Sequence, residues 1–164
     1  MIKSKLYNTD IDSLLRSLDL AHFKGVYSAD NIPHFENTDF IFICNLSNEG
    51  EVGTHFVTIG KLGNMILYLD SLALNCMNIH LIRYLGDLVT KSSKLYSITT
   101  AIQPLLSQGC GIYCIFFVLL YHAAATESLE ANLLPFSKGI NKKYNDDTCA
   151  KNIFIFLRHL NREL

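Results

Sequence analysis

The sequence predicts an α+β fold: a small mixed central sheet packed on a buried central helix that starts at Cys110, with helices at both ends. Three observations lead there. Short strand-like segments cluster in mid-chain, between Phe40 and Ile98, and do not alternate regularly with helices. Apolar residues recur at helical spacing towards both ends. The segment from Cys110 onward is apolar nearly all round, as a helix is when it is buried on all sides.

The elements follow in order. Thr9 or Asp10 caps a first helix carrying Ile11, Leu14, Leu15 and Leu18 at helical spacing. Phe23 to Pro33 reads as loop. Phe40 to Cys44 is strand-like, and Asn48-Glu49-Gly50 is a turn. Thr54 to Ile59 and Met65 to Leu69 are two further strands, joined around Gly60 and Gly63. Met77 to Val89 has helical spacing in Ile79, Ile82, Leu85, Leu88 and Val89, and Leu95 to Ile98 is a fourth strand. The central helix runs from Cys110 to about Ala124. Asn145-Asp146-Asp147 caps a last helix with Ile153, Phe156, Leu157 and Leu160 on one face.

The chain has 164 residues, which suits one domain over residues 1–164 with one core. Fourteen basic and 15 acidic residues give a net charge of −1, so charge alone gives no argument for a nucleic-acid or membrane partner. The longest apolar run, Ile112 to Ala125, is shorter than the ~20 residues a membrane span needs. Lys3 and Lys5 are not followed by an apolar signal core. Five scattered cysteines without CxxC pairs point to a reducing, intracellular compartment, free thiols and no metal site. A monomer is expected.

The chemistry concentrates at Gln103-Pro104-Leu105-Leu106-Ser107-Gln108-Gly109-Cys110-Gly111-Ile112-Tyr113-Cys114. A cysteine at a helix N-terminus meets partial positive charge and unpaired N–H groups, which favour thiolate over thiol. Gly109 and Gly111 let another backbone approach closely. A nucleophile of this kind needs a base, and the base needs a group to orient it. His55 sits in the alternating segment Gly53-Thr54-His55-Phe56-Val57-Thr58-Ile59, and Asp70 ends the next strand, 15 positions later. A hairpin closes that gap and lets the carboxylate select the imidazole tautomer. Gln103 can offer an amide N–H to a developing oxyanion. Cys114, one turn after Cys110, reads as a buried thiol, and Cys44, Cys76 and Cys149 read as inert. His22, His34, His80, His122 and His159 read as surface or internally satisfied histidines.

In the order His, Asp, Gln, Cys this pattern resembles the adenain-like cysteine proteases. These comprise the adenovirus maturation protease, its relatives in virus-like transposons and other DNA viruses, and more distantly the proteases that process ubiquitin-like modifiers. The resemblance rests on Gly53-Thr54-His55-Phe56, Asp70, Gln103 and Cys110-Gly111-Ile112-Tyr113-Cys114. Phe23-Lys24-Gly25-Val26-Tyr27, the Asn-bearing segment Phe42-Ile43-Cys44-Asn45, and Asn145-Asp146 extend it over roughly residues 20 to 160. Two positions depart from the family: Phe56 stands where it has Trp, and Ser71-Leu72 follows Asp70 where it often has a Gly-containing turn.

The resemblance implies a cysteine endopeptidase that cleaves capsid or virion precursors beside small residues, often glycine. His55, Asp70, Gln103 and Cys110 would be catalytic, and Asn45, Gly53, Phe56, Gly109 and Gly111 would line the substrate cleft. It places the protein, viral or transposon-type, in a host nucleus or cytoplasm, and packaged in the virion if viral. A deconjugating protease for ubiquitin or a ubiquitin-like modifier uses the same groups and stays open. So does a catalytically dead binding relative, which the intact quartet argues against. No cofactor is expected to be required, although adenain itself is activated by DNA and a short viral peptide. The basic residues Lys138, Lys142, Lys143, Lys151, Arg158 and Arg162 are the candidates for a nucleic-acid contact.

Overall fold

The computed structural model describes residues 6–35, 38–90, 94–99, 101–104 and 107–124. Among the described residues, five strands form one mixed sheet in the order β1-β2-β3-β4-β5. They are β1 (Phe23–Ser28), β2 (Phe40–Asn45), β3 (Phe56–Leu62), β4 (Met65–Leu69) and β5 (Lys94–Ser97). β2-β3-β4 is an antiparallel meander, and β1 and β5 flank it in parallel pairings. Among the described residues three helices accompany the sheet: α1 (Asn8–Ser17), α2 (Ile79–Thr90) and α3 (Cys110–Ala124).

The sheet separates two apolar layers. Ile41, Ile43, Leu67 and Leu69 point towards α3 and α1, where they meet Tyr113, Phe117, Val118, Ile11 and Leu15. Phe40, Phe42, Cys44, Val57, Ile59 and Tyr68 point the other way, towards Leu81, Tyr84, Leu85 and Leu88 of α2. β2 is buried on both faces, which is why its sequence Phe-Ile-Phe-Ile-Cys is continuously apolar and not alternating. The α+β class and the central helix from Cys110 are as the sequence predicts.

Four expectations need correction. Phe23–Ser28 is a strand and not a loop: Gly25 at φ +133° and a register shift between Phe23 and Val26 break the alternation that would have marked it. β3 begins at Phe56 and continues through Gly60 to Leu62, so the reversal falls at Gly63, φ +54°, whose N–H donates to Asp39 Oδ1 at 2.7 Å. α1 starts at Asn8, and Asp10 caps it from within, accepting the Tyr7 N–H at 3.1 Å. On α2, Leu81 is buried while Ile79 and Ile82 are exposed, so the face that meets the sheet lies rotated from the expected stripe. The last helix expected after Asn145-Asp146-Asp147 lies outside the described residues, as do Cys149, His159 and the six C-terminal basic residues.

Candidate active site

β3 and β4 are antiparallel, so the start of β3 and the end of β4 meet at one end of the sheet. His55 immediately precedes β3 and Asp70 immediately follows β4. His55 Nε2 lies 2.7 Å from Asp70 Oδ1, in a place where Asp70 is 1% exposed. The same carboxylate accepts the N–H of Leu72 at 2.8 Å on Oδ1 and that of Leu74 at 3.1 Å on Oδ2. It thus fixes the imidazole and the turn that follows β4 in one step. That turn carries Ala73 at φ +50°, a left-handed conformation that glycine adopts more readily.

With Nε2 held by Asp70, Nδ1 is the ring nitrogen left to serve Cys110, which lines the same cavity as His55. Cys110 opens α3 at the same end of the sheet, half-buried. Its thiol feels opposed influences. Burial is the largest and pushes it up. The hydrogen bond and charge of His55, with the N–H groups of Phe56 and Gly111, more than offset this and leave it below its ordinary value. His55 mirrors the balance: burial pulls it down, and the bonds to Asp70 and Cys110 carry it up to about 9. The two shifts together favour an imidazolium–thiolate pair. Burial pushes the thiols of Cys44, Cys76 and Cys114 up, so among the described cysteines Cys110 alone is drawn towards thiolate.

Gln103 is 4% exposed. Its Oε1 accepts the Ser71 hydroxyl at 2.5 Å, and its Nε2 donates to the Ser107 carbonyl at 3.0 Å. Ser107 Oγ accepts the Gly109 N–H at 2.9 Å, which braces the backbone just before Cys110. A cavity of about 380 Å3 opens over this group, lined among others by Gly53, His55, Phe56, Leu74, Gln103 and Cys110. A second, of about 260 Å3, shares Leu6, Gly53 and Phe56 with it and reaches Asn45, Asn8 and Tyr7. The two adjoin at these shared residues.

The structure therefore brings His55, Asp70, Gln103 and Cys110 together, with Asn45, Gly53 and Phe56 on the cleft wall. Gly53 leaves room for the Asn45 side chain, whose Nδ2 lies 2.5 Å from where a Cβ would stand. Gly109 and Gly111 line neither cavity. Gly111 instead admits α1, since a Cβ there would come within 2.9 Å of Ile11 Cδ1. Ser71 and Ser107 were not singled out by sequence reasoning, because a serine's role shows only through its partner. Among the described residues no cluster of three or more His, Cys, Asp or Glu side chains could hold a metal, and no helix is long and apolar enough to cross a membrane.

A crystal structure of the ASFV pS273R protease, in selenomethionine form, superposes with a TM-score of 0.54 at 16% identity over 91% of this chain. The chain shares its fold with a protease. It spans 66% of that protein, just under two thirds. A single-residue deletion form of AvrA with IP6 and CoA overlaps at a TM-score of only 0.42, with 15% identity over 85% of this chain and 57% of the other, and adds nothing to the fold assignment. No protein-family model and no curated protein matches the sequence.

Proposed function

We propose that the protein is a cysteine endopeptidase of the adenain-like kind, acting on protein precursors. The observation that carries this reading is a histidine held by a buried carboxylate and lining one cavity with the cysteine that opens α3. In the proposed reaction the Cys110 thiolate attacks the scissile carbonyl carbon, and the C=O electron pair moves onto oxygen. The Gln103 amide and the Cys110 backbone N–H receive that oxyanion. When the tetrahedral centre collapses, the C–N bond breaks and His55 Nδ1–H protonates the leaving amine. His55, now neutral, takes a proton from water, whose oxygen attacks the thioester. The second collapse expels the Cys110 thiolate and releases the acid, restoring the imidazolium.

Phe56, Leu72 and Leu74 put apolar surface on the cavity wall beside Gly53. It supports substrates with small residues at the cut, as virion precursors of the adenain-like branch would present. We place no obligatory cofactor in the reaction: turnover proceeds without duplex DNA, and any DNA stimulation fades as salt rises from roughly 50 to 200 mM.

The test compares Gly-Gly-containing precursor peptides with activity probes built on ubiquitin-like modifiers, using wild type and Cys110→Ala. Cleavage of the peptides, lost below about 10⁻⁴ of wild type in Cys110→Ala, is the expected result. Labelling by the modifier probes alone would move the protein to the deconjugating branch. Iodoacetamide reacting with Cys110 no faster than with Cys44 would overturn the enzyme reading altogether.

A further inference from the structure

Asp70 and Ser71 are neighbours in sequence, yet they serve different partners. Asp70 holds His55, while the Ser71 side chain reaches Gln103, 32 positions away. Ser71 is 1% exposed and grips Gln103 in two ways. Its carbonyl accepts the backbone N–H of Ile102 at 2.9 Å and of Gln103 at 3.0 Å. Its hydroxyl donates to Gln103 Oε1 at 2.5 Å.

The other end of the amide meets the Ser107 carbonyl, which can only accept. Turned end for end, the amide would set Oε1 against that carbonyl oxygen. Ser107 thus decides which end of the amide is which, and Ser71 fixes where the oxygen end sits. One Nε2–H is then used by Ser107 O at 3.0 Å, and the other has at best the longer 3.4 Å contact to Ser107 Oγ. The longer contact is the one an oxyanion over Cys110 would replace.

Resting on the endopeptidase reading, we propose that Ser71 is a positioning residue: its hydroxyl presents the Gln103 amide N–H to the oxyanion. One dipeptide, Asp70-Ser71, then sets both the base and the oxyanion donor. A shift of the strand end moves the two together, so the geometry of attack and of charge stabilisation stay matched.

The test uses two reactions of Cys110 that need no natural substrate. Acylation by p-nitrophenyl acetate passes through a tetrahedral oxyanion. Alkylation by iodoacetamide is a displacement at saturated carbon and forms none. Ser71→Ala is expected to slow acylation about tenfold and leave the alkylation rate and its pH profile unchanged. That loss is smaller than the 10²–10³-fold expected for Gln103→Ala, which removes the donor itself. Because an unpartnered buried carbonyl destabilises, the double variant Ser71→Ala, Gln103→Ala provides the second arm. There, adding Ser71→Ala is expected to change acylation less than twofold relative to Gln103→Ala.

Unchanged acylation in Ser71→Ala overturns the proposal. An equal fall in acylation and alkylation also overturns it, since it would mark a general loosening around the thiolate. Additive losses in the double variant exclude action through Gln103. Failure of the endopeptidase reading looks different: wild-type Cys110 would show no preferential alkylation over Cys44 and Cys76, and the proposal would fall with it.

Discussion

The two ends of α3 each meet a histidine withdrawn from water, and the two are driven in opposite directions. At the N-terminal end, His55 faces the carboxylate of Asp70 and the thiol of Cys110 and rises to about 9. Near the C-terminal end, the half-buried His122 donates from Nδ1 to its own helix at Val118 O, 2.8 Å, and its Nε2 accepts the backbone N–H of His22 at 3.4 Å. Burial lowers His122, and the ring of His22, stacked at 6.0 Å, lowers it further against the pull of the Val118 carbonyl. Burial acts the same way on both. The partner decides the outcome: an anion keeps the proton on His55, whereas at His122 a backbone carbonyl is too weak to offset burial and the neighbouring imidazole. A desolvated imidazole alone is therefore no sign of catalysis.

The largest effect comes from making His55 more like His122. Asp70→Asn keeps the shape of the side chain and removes its charge. Turnover should fall by up to about 10⁴-fold, as when an orienting carboxylate is neutralised elsewhere. The alkaline limb of the activity profile should move down from near pH 9. An Asn variant with that limb in place would show that the carboxylate does not hold the proton on His55.

In the wild type, that profile should be bell-shaped. The acid limb belongs to the lowered Cys110 thiol and the alkaline limb, near pH 9, to His55, as one coupled pair. Activity that still rises at pH 10 would sink this.

The two histidines should also bend stability in opposite senses. His55 is raised from 6.5 to about 9, so its contribution is complete below about pH 6.5 and lost as pH rises through 9. His122 is lowered from 6.5, so its contribution is present above about pH 6.5 and lost as pH falls through its depressed value. His122→Gln should therefore shrink the drop in melting temperature between about pH 7 and pH 5, with activity at pH 8 changed less than about twofold. An undiminished drop would place the acid sensitivity elsewhere.

The smallest effect sharpens the His55 side. Ala73→Gly relieves the left-handed backbone beside Asp70 but frees the unfolded chain, and the two terms of about 1 kcal/mol oppose each other. An unfolding free energy from urea titration changed by more than about 1 kcal/mol in either direction would mean that the turn is strained or braced by more than φ alone.

Much of this was legible from sequence for physical reasons. β2, β4 and α3 carry apolar runs long enough to mark them, and Cys110 between glycines at a helix start announces its environment. β1 was not legible, because Gly25 and the register shift remove the periodicity on which a strand is recognised. Neither was the orientation of α2: Ile79 and Ile82 have the spacing of a core stripe, yet the sheet takes Leu81, Tyr84, Leu85 and Leu88. At the site, the residue types gave the chemistry. The link between Ser71 and Gln103 spans 32 positions, and nothing in local spacing encodes a contact made by the closure of a sheet.

The same field that draws Cys110 towards thiolate also makes it the most oxidisable of the described cysteines. Peroxides attack thiolates, and the first product, a sulfenic acid, carries no nucleophilic sulfur for acyl transfer. Cys44 and Cys114, buried and held as thiols, are shielded from that attack. Mild peroxide should add one oxygen at Cys110 and silence the protein while its melting temperature holds, and a small thiol should reverse both changes. Oxygen appearing first on Cys44 or Cys114 would contradict it. Protection from peroxide during handling is thus a requirement set by the pairing of one thiol with one imidazole.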